Sequence, residues 1–221
     1  NVGDGHVILF PGPQGAILVA AGPSPQRLKD ELGAQLPPWQ LRLDAIAVTA
    51  PTLGHVGGFA GLERPASTFL IPDAAMTGSA WRTAALEAAA RGATIQPMQA
   101  GTTISIAGFT LEAISPESGS PGDIVGAGYL ALRVVAPSGR SFCDLSDLAA
   151  DAQTVAAARL HGQCSYLLIP GGGRSALSPE LERAAGSNVQ LIASRSTGRL
   201  AQGFPSTALR TDQEGTITRP I

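Results

Sequence analysis

The segment Ala45–Gly58, which reads AIAVTAPTLGHVGG, holds the clearest candidate for chemistry in this sequence. It runs from an apolar strand into a loop that carries His55. Alternate side chains at the end of a strand point to the same side. Ligands two residues apart in the loop that follows can therefore coordinate one metal ion. Here positions 50, 52 and 54 hold Ala, Thr and Gly, which are not zinc ligands, so His55 stands alone.

Two glycine-rich stretches, 54–58 and 171–173, offer backbone N–H groups that can cradle a phosphate. The alternative, which we favour, is that both are tight turns, because that is the more common use of glycine. Neither stretch matches the phosphate-binding loop of nucleotide hydrolases, and no Ser-His-Asp or Cys-His motif for nucleophilic catalysis is present.

Apolar runs bounded by turn residues predict the elements that would position these groups. The predicted strands are 7–10, 16–20, 44–49, 68–71, 93–97, 102–106, 108–114, 129–135, 141–144, 166–169, 189–193 and 216–218. A first helix is capped by Ser24, and further helices cover 79–91, 148–160 and 179–185. Strands dominate and helices recur between them, which favours a layered α/β sandwich.

Length and composition favour one soluble domain of residues 1–221. Apolar residues make up 44% of the chain, which is enough for a real core. Charged residues make up 14% and the net charge is −2, so no basic field points to nonspecific nucleic-acid binding. The sequence has no apolar run of about 18 residues and no signal peptide, and it opens directly on a predicted strand, so we expect an excised domain or a mature fragment.

Cys143 and Cys164 are the two cysteines, and 21 residues separate them. That spacing indicates neither a disulfide framework nor a zinc ribbon. We therefore expect two free thiols that serve as small, buried apolar side chains.

The strand and loop at 45–58 resemble the metallo-β-lactamase superfamily, where the same place reads Thr-His-x-His-x-Asp-His, then a small apolar residue and two glycines. A narrower resemblance is to the hydrolase-like domain of the ComEC family, the channel proteins of bacterial DNA uptake. The segment Val2–Val7 (VGDGHV) is similar to the opening strand of that domain. The segment Ile17–Pro23 (ILVAAGP) is similar to its second strand, with Ala20 in place of an aspartate.

Later landmarks follow the order of the same family. The segment Asp144–Asp147 (DLSD) resembles Leu-Thr-Gly-Asp, whose aspartate bridges the metals, so the resemblance implies that Asp147 is retained. Pro170–Ser175 (PGGGRS) stands where the family has Gly-His-His-Gly-Ser, and Gly203–Pro205 where it has Gly-His-Pro. Arg210–Ile217 (RTDQEGTI) resembles the last hairpin. Ligands are therefore lost at positions 50, 52, 54, 171, 172 and 204.

The resemblance implies an α/β fold of the metallo-β-lactamase type, a four-layer αββα sandwich, with nearly all metal ligands missing. We therefore expect a degenerate, non-catalytic domain of a ComEC-like DNA-uptake protein, without a cofactor. The alternative is a metal-dependent phosphodiesterase or nuclease with a remodelled site that uses His55 and Asp147 and binds zinc or manganese. The resemblance also implies a bacterial, membrane-associated location through a parent protein, whose membrane channel is the partner of this domain.

Two interpretations of the remaining histidines stay open. A relocated single metal could use His6, with Asp4 nearby, together with His55 and Asp147. The interpretation that we favour is that neutral His55 hydrogen-bonds Asp147 or a backbone carbonyl. His161, toward the end of a predicted helix, is then a solvated or capping residue.

Three arginines are candidate ligand-binding residues. Arg174 follows the glycine turn at an emptied ligand loop, and Arg195 and Arg199 lie in the loop after a late strand that should reach the same rim. Together they could contact the phosphate backbone of single-stranded DNA. The alternative, which we favour, is that they are ordinary surface cations, because Lys29 is the only lysine in the chain.

Overall fold

A computed structural model describes residues 5–12, 15–73, 79–117, 128–160, 164–174, 176–194, 200–201 and 203–221. Within these residues the strands form two sheets, one of five strands and one of seven. The first half of the chain builds the smaller sheet and the second half the larger one. Each half alternates strands with helices, as the sequence pattern predicted.

The smaller sheet follows the chain order, β1-β2-β3-β4-β5. Its strands are β1 (Ile8–Gly12), β2 (Gly15–Val19), β3 (Leu43–Ala47), β4 (Ala66–Pro72) and β5 (Thr94–Met98). The first two strands form the predicted antiparallel hairpin, and β2 to β5 are parallel. Because parallel strands share one carboxyl edge, the loops that follow β2 and β3 lie side by side.

The larger sheet has the order β12-β11-β10-β9-β8-β7-β6. Its strands are β6 (Thr103–Ile106), β7 (Phe109–Ala113), β8 (Leu132–Val135), β9 (Ser141–Asp144), β10 (Tyr166–Leu168), β11 (Gln190–Ala193) and β12 (Leu209–Arg210). Strands β6 to β9 are antiparallel, and β9 to β12 are parallel. The carboxyl ends of β9, β10 and β11 therefore meet at one edge.

Helices cover the outer face of each sheet. The helices are α1 (Pro25–Gln35), α2 (Leu53–Val56), α3 (Ser79–Ala90), α4 (Ala150–Leu160), α5 (Pro179–Ala185) and α6 (Thr211–Glu214). Side chains of α1 and α3 pack on the smaller sheet, and those of α4 and α5 on the larger one. This confirms the four-layer αββα sandwich. Among the described helices, none has the length and apolar character needed to cross a bilayer.

Alternation along β2 shows how the sequence builds these layers. Ile17 and Val19 face the core between the two sheets, whereas Ala16 and Leu18 face the helical layer. All four are fully buried, because β2 lies between two apolar layers. Leu28 of α1 packs in the same outer layer as Leu18, and burial of such a leucine contributes about 1.5–3 kcal/mol.

The cysteines differ from the prediction: Cys143 and Cys164 form a disulfide, and the prediction of two free thiols is wrong. Cys143 lies in β9, and Cys164 lies just before β10, the parallel neighbour of β9. The backbone N–H of Ser165 donates to the carbonyl of Ser141 at 2.9 Å, which holds the start of β10 beside β9. The Cα atoms of the cysteines are therefore 5.8 Å apart, within the range that a disulfide spans.

Two further details correct the sequence prediction. The stretch 54–58, predicted as a tight turn, is helical, because α2 begins at Leu53 and a 3₁₀ helix continues from Gly57 to Gly61. The predicted strand at 216–218 is absent: α6 follows β12 and ends at Glu214, and residues 216–218 pair with neither sheet. The Arg210 side chain binds Asp212 with N–O distances of 3.0 and 2.6 Å, which stabilises the turn of α6.

Candidate functional site

His55 lies at the carboxyl edge of the smaller sheet because α2 docks on the loop after β2. The carbonyl of His55 accepts a hydrogen bond from the backbone N–H of Ala21 at 2.7 Å. Gly58 comes so close to the same loop that an added Cβ would lie 2.0 Å from the Ala21 carbonyl oxygen. The glycine pair after the histidine is therefore needed for close packing, and this packing fixes the direction of the imidazole.

The carboxylates come from the turn after β9. Asp144 ends β9, and its Oδ1 accepts the backbone N–H of Ser146 at 2.7 Å, which closes a turn in which Ser146 has φ +55°. The hydroxyl of Ser146 donates to the carbonyl of Thr49 at 2.9 Å and so ties this turn to the smaller sheet. Asp147 follows, and its Oδ1 accepts the N–H of Gly171 at 3.1 Å. Both carboxylates are thereby fixed between the two sheets.

His6 reaches the site from the segment before β1. Gly5 packs against the α2 backbone so tightly that a Cβ would lie 2.2 Å from the carbonyl oxygen of Gly54. The hydroxyl of Ser194, which follows β11, donates to the carbonyl of Gly5 at 2.6 Å. Contacts from both sheets therefore hold the residue before His6.

Two histidine–aspartate pairs form the centre of the site. Nε2 of His6 lies 3.1 Å from Oδ2 of Asp144, and Nε2 of His55 lies 3.3 Å from Oδ2 of Asp147. The two imidazoles meet edge to face with centroids 4.3 Å apart. Nδ1 of His55 lies 2.9 Å from the hydroxyl of Thr49, so both ring nitrogens of His55 have protein partners. Asp147 is the partner that the structural interpretation gives to His55, and the role of this contact stays a prediction.

The pKa values of the two histidines move in opposite directions. Burial opposes protonation of His6, but the charge of Asp144 and its hydrogen bond outweigh burial and raise the pKa of His6. Burial lowers the pKa of His55, and the neighbouring His6 lowers it further against the opposing effect of Asp147. The hydrogen bond from His55, opposed by burial, lowers the pKa of Asp147. A neutral His55 can donate from Nε2 to Asp147 and accept at Nδ1 from Thr49.

A pocket of about 330 Å³ opens above these pairs. His6, His55 and Asp147 line its base, and glycines 54, 171 and 172 leave its walls without side chains. Arg174 stands exposed at its rim, and in the part of the chain that the structure describes it forms no ion pair. The other sequence candidates, Asp4, His161, Arg195 and Arg199, lie outside the described residues.

The side chains of this pocket do not fit the metal ions that the fold implies. Zinc requires three or four nitrogen, sulfur or carboxylate donors that converge on one point. Here the Nε2 atoms of His6 and His55 face carboxylates, and Nδ1 of His55 faces a hydroxyl. Among the described residues, no group of three or more His, Cys, Asp or Glu side chains is arranged to hold a metal. Thr52 adds only a buried hydroxyl.

Comparison with known proteins assigns the fold. The metallo-β-lactamase fold protein YhfI from Bacillus subtilis is 12% identical, with 85% of this chain and 76% of that chain covered and a TM-score of 0.56. Zn²⁺-bound PqqB from Methylobacterium extorquens is 16% identical over 74% of this chain and 59% of that chain, with a TM-score of 0.55. A HARLDQ-motif mutant metallo-β-lactamase from Cronobacter sakazakii is 20% identical, with 73% of this chain and 69% of that chain covered and a TM-score of 0.53.

The chain therefore has the metallo-β-lactamase fold. No family model matches the sequence, and no curated protein is significantly similar to it. At these low identities the likeness concerns the fold alone. The chemistry of the pocket has to be argued from the side chains of this chain.

Sequence reasoning missed half of the polar cluster. Asp144, Thr49, Ser146 and Ser194 were not singled out as site residues, although each makes a hydrogen bond that fixes a pocket residue. One available signal was the DLSD segment, in which Asp144 ends an apolar strand three residues before Asp147. A buried carboxylate at a strand end needs a cationic or N–H partner, which is a reason to search for a second histidine.

Proposed function

We propose that this chain is a non-catalytic domain with the metallo-β-lactamase fold, a pseudo-hydrolase that serves as a folded module of a ComEC-like DNA-uptake protein. The observation that carries the proposal is the mutual pairing of the polar groups at the base of the pocket. His6 binds Asp144, and His55 binds Asp147 and Thr49. Side chains that satisfy one another in this way leave few free donors for a catalytic metal.

The ComEC half of the proposal rests on the order of sequence landmarks from Val2 to Ile217. In such a protein the domain would accompany a membrane channel, at a bacterial membrane, and meet incoming single-stranded DNA. The exposed Arg174 at the pocket rim supports a contact with a phosphate group, since a guanidinium suits the geometry of phosphate oxygens. We extend this proposed contact surface to Arg195 and Arg199 from the sequence alone.

A metal-dependent phosphodiesterase is the alternative function. It is favoured by one observation, the convergence of His6, His55 and Asp147 on a single pocket. These residue types can bind zinc or manganese if the existing pairs separate. The alternative requires a stoichiometric metal and hydrolysis that depends on it.

Metal analysis and a phosphodiesterase assay separate the two functions. We expect protein purified without chelators to hold below about 0.1 equivalents of zinc or manganese, because the donor set is incomplete. With zinc or manganese added, we expect the parent protein to hydrolyse bis-(p-nitrophenyl) phosphate and single-stranded DNA no faster than the His55→Gln variant does. A molar equivalent of metal, together with hydrolysis that His55→Gln and Asp147→Asn abolish, would establish the enzyme instead.

DNA binding is tested by fluorescence anisotropy with a labelled single-stranded oligonucleotide. The Arg174→Ala, Arg195→Ala, Arg199→Ala triple variant is expected to lose affinity if the rim binds phosphate groups. The matched control replaces three exposed arginines elsewhere, Arg27, Arg42 and Arg183, and should bind like the parent. Equal affinity of the triple variant and the parent, or no binding by the parent, removes DNA contact from the proposal.

A further inference from the structure

The loop between α1 and β3 exposes two large apolar side chains that are one residue apart in the sequence. Trp39 is 81% exposed and Leu41 is 68% exposed. Single exposed apolar residues are ordinary on protein surfaces, but a tryptophan and a leucine exposed on one short loop require an explanation. We name the surface formed by Trp39, Leu41, Arg42 and Arg64 the Trp39 face.

The backbone holds this tip in one conformation. The N–H of Gln40 donates to the carbonyl of Pro37 at 3.0 Å, and the N–H of Leu41 donates to that of Trp39 at 3.0 Å. Prolines at 37 and 38 restrict the approach to the tip. A surface that is already ordered loses little conformational entropy when it binds.

Cationic side chains flank the tip. Arg42 directly precedes β3 and Arg64 precedes β4, and because these strands are parallel their starting ends lie at the same edge of the sheet. The N–H of Leu43 donates to the carbonyl of Pro65 at 3.0 Å, which joins the two segments. Among the described residues, Arg42 and Arg64 form no ion pair, so both charges stay available to a partner.

The neighbouring carboxylates are already engaged. Glu63 binds Nζ of Lys29 at 2.6 Å, and Asp44 accepts the backbone N–H of Ala16 at 2.7 Å. The Trp39 face therefore combines an apolar tip with a net positive rim, and this combination suits an anionic partner.

We propose that the Trp39 face docks on the surface of an anionic lipid bilayer. Tryptophan favours the headgroup region, a leucine beside it reaches the acyl boundary, and arginines near the surface attract anionic headgroups. A protein partner would need an interface of about 800 Å² on this side, which is far more than a two-residue apolar tip. Single-stranded DNA stacks on aromatic rings but gains little from an exposed leucine.

Docking through this face orients the domain. The Trp39 face lies at the start of β3, whereas Thr49 and His55 lie beyond its end. The six residue-to-residue steps from Leu43 to Thr49 span roughly 20 Å at the rise of a strand, so the pocket opens on the side away from the bilayer. This inference does not depend on whether the pocket binds metal, and it goes beyond the proposed function.

Vesicle binding tests the inference with Trp39 as the reporter. The chain has two tryptophans, so Trp81→Phe leaves Trp39 as the sole emitter. With phosphatidylcholine vesicles that contain about one third phosphatidylglycerol, we expect a blue shift of its emission and co-sedimentation of the protein. Vesicles of phosphatidylcholine alone should bind about 25-fold more weakly, since each of the two arginines contributes about 5-fold near an anionic surface.

Paired variants separate the apolar and charged contributions. Arg42→Gln with Arg64→Gln should lower the partition coefficient about 25-fold, because each charge contributes about 5-fold. The control Arg183→Gln, on α5 in the opposite helical layer, should bind like the parent. Trp39→Ser with Leu41→Ser should abolish co-sedimentation, and the control Val155→Ser, at a 40% exposed position on α4, should not.

In the paired variants and their controls Arg64 is half-buried and the other replaced side chains are exposed, so circular dichroism and urea unfolding should match the parent. If the serine pair fails to fold, the glutamine pair still carries the test. Equal binding to both vesicle types, no binding to either, or unchanged binding by the Arg42/Arg64 variant overturns the inference. A spectral shift with single-stranded DNA but not with vesicles overturns it in favour of nucleic acid, and concentration-dependent self-association without vesicle binding overturns it in favour of a protein partner.

Discussion

Reduction of the Cys143–Cys164 disulfide should lower the free energy of unfolding by an amount that the structure allows us to calculate. The cysteines are separated by 21 residues. The chain-entropy relation for a closed loop of that length gives about 3.3 kcal/mol at 25 °C. For a chain of this size each kcal/mol changes the melting temperature by roughly 2–4 °C, so we expect a decrease of about 10 °C.

The assay compares the oxidised and reduced forms of the same chain in urea, which keeps every side chain except the S–S bond unchanged. Iodoacetamide should label neither sulfur in denatured, unreduced protein and both after reduction. The Cys143→Ala, Cys164→Ala double variant is the control: its unfolding midpoint should not respond to the reducing agent. A shift in that control would show that the reductant acts elsewhere.

The disulfide also has an expected local effect. The loop that it closes carries Asp144 and Asp147, the two carboxylates of the site. After reduction, the amides of Ser146 and Gly171, which donate to these carboxylates, should exchange hydrogen faster than amides in β3. Two reactive thiols in the unreduced protein, or a stability difference below about 1 kcal/mol, would refute the reasoning.

Two further predictions concern a glycine contact and a buried ion pair. Gly58→Ala should destabilise the protein by about 1–3 kcal/mol, because the new Cβ would lie 2.0 Å from the Ala21 carbonyl oxygen. Gly33→Ala in α1, where a Cβ would meet nothing within 4 Å, should instead stabilise the protein by up to about 1 kcal/mol. Similar unfolding midpoints for the two variants would contradict this. The pKa of His6 is raised, so its pair with Asp144 contributes fully to stability below about pH 6.5 and loses this contribution as pH rises through the folded-state pKa. The difference in the free energy of unfolding between the parent and His6→Gln, measured in urea, should therefore narrow as pH rises from about 6 to about 9. A constant or widening difference would count against the pair.

The fold could be predicted from the sequence because its elements are encoded locally. Helix α1 begins as predicted, where the hydroxyl of Ser24 accepts the N–H of Arg27 and Pro25 starts the helix. The hairpin of β1 and β2 also follows from two apolar runs around turn residues. In contrast, the predicted strand at 216–218 does not form, because those residues pair with no strand of either sheet, and β propensity does not report such pairing.

Most of the site depends on contacts between residues far apart in sequence, and this limited the prediction. His55 and Asp147 were found because each sits in a recognisable segment. His6 and Asp144 are separated by 138 residues and meet only when the two sheets pack. The disulfide was missed for the same reason, because spacing alone does not reveal that β9 and β10 are neighbours.

The glycine turn after β10 sets a limit on any attempt to engineer a metal site into this chain. Gly171 and Gly172 have φ values of +59° and +63°, in the left-handed region. A histidine at either position would cost roughly 1–2 kcal/mol in backbone energy before it binds anything. Side-chain replacement alone is therefore a poor route to a working hydrolase. A design would have to rebuild the loop backbone first.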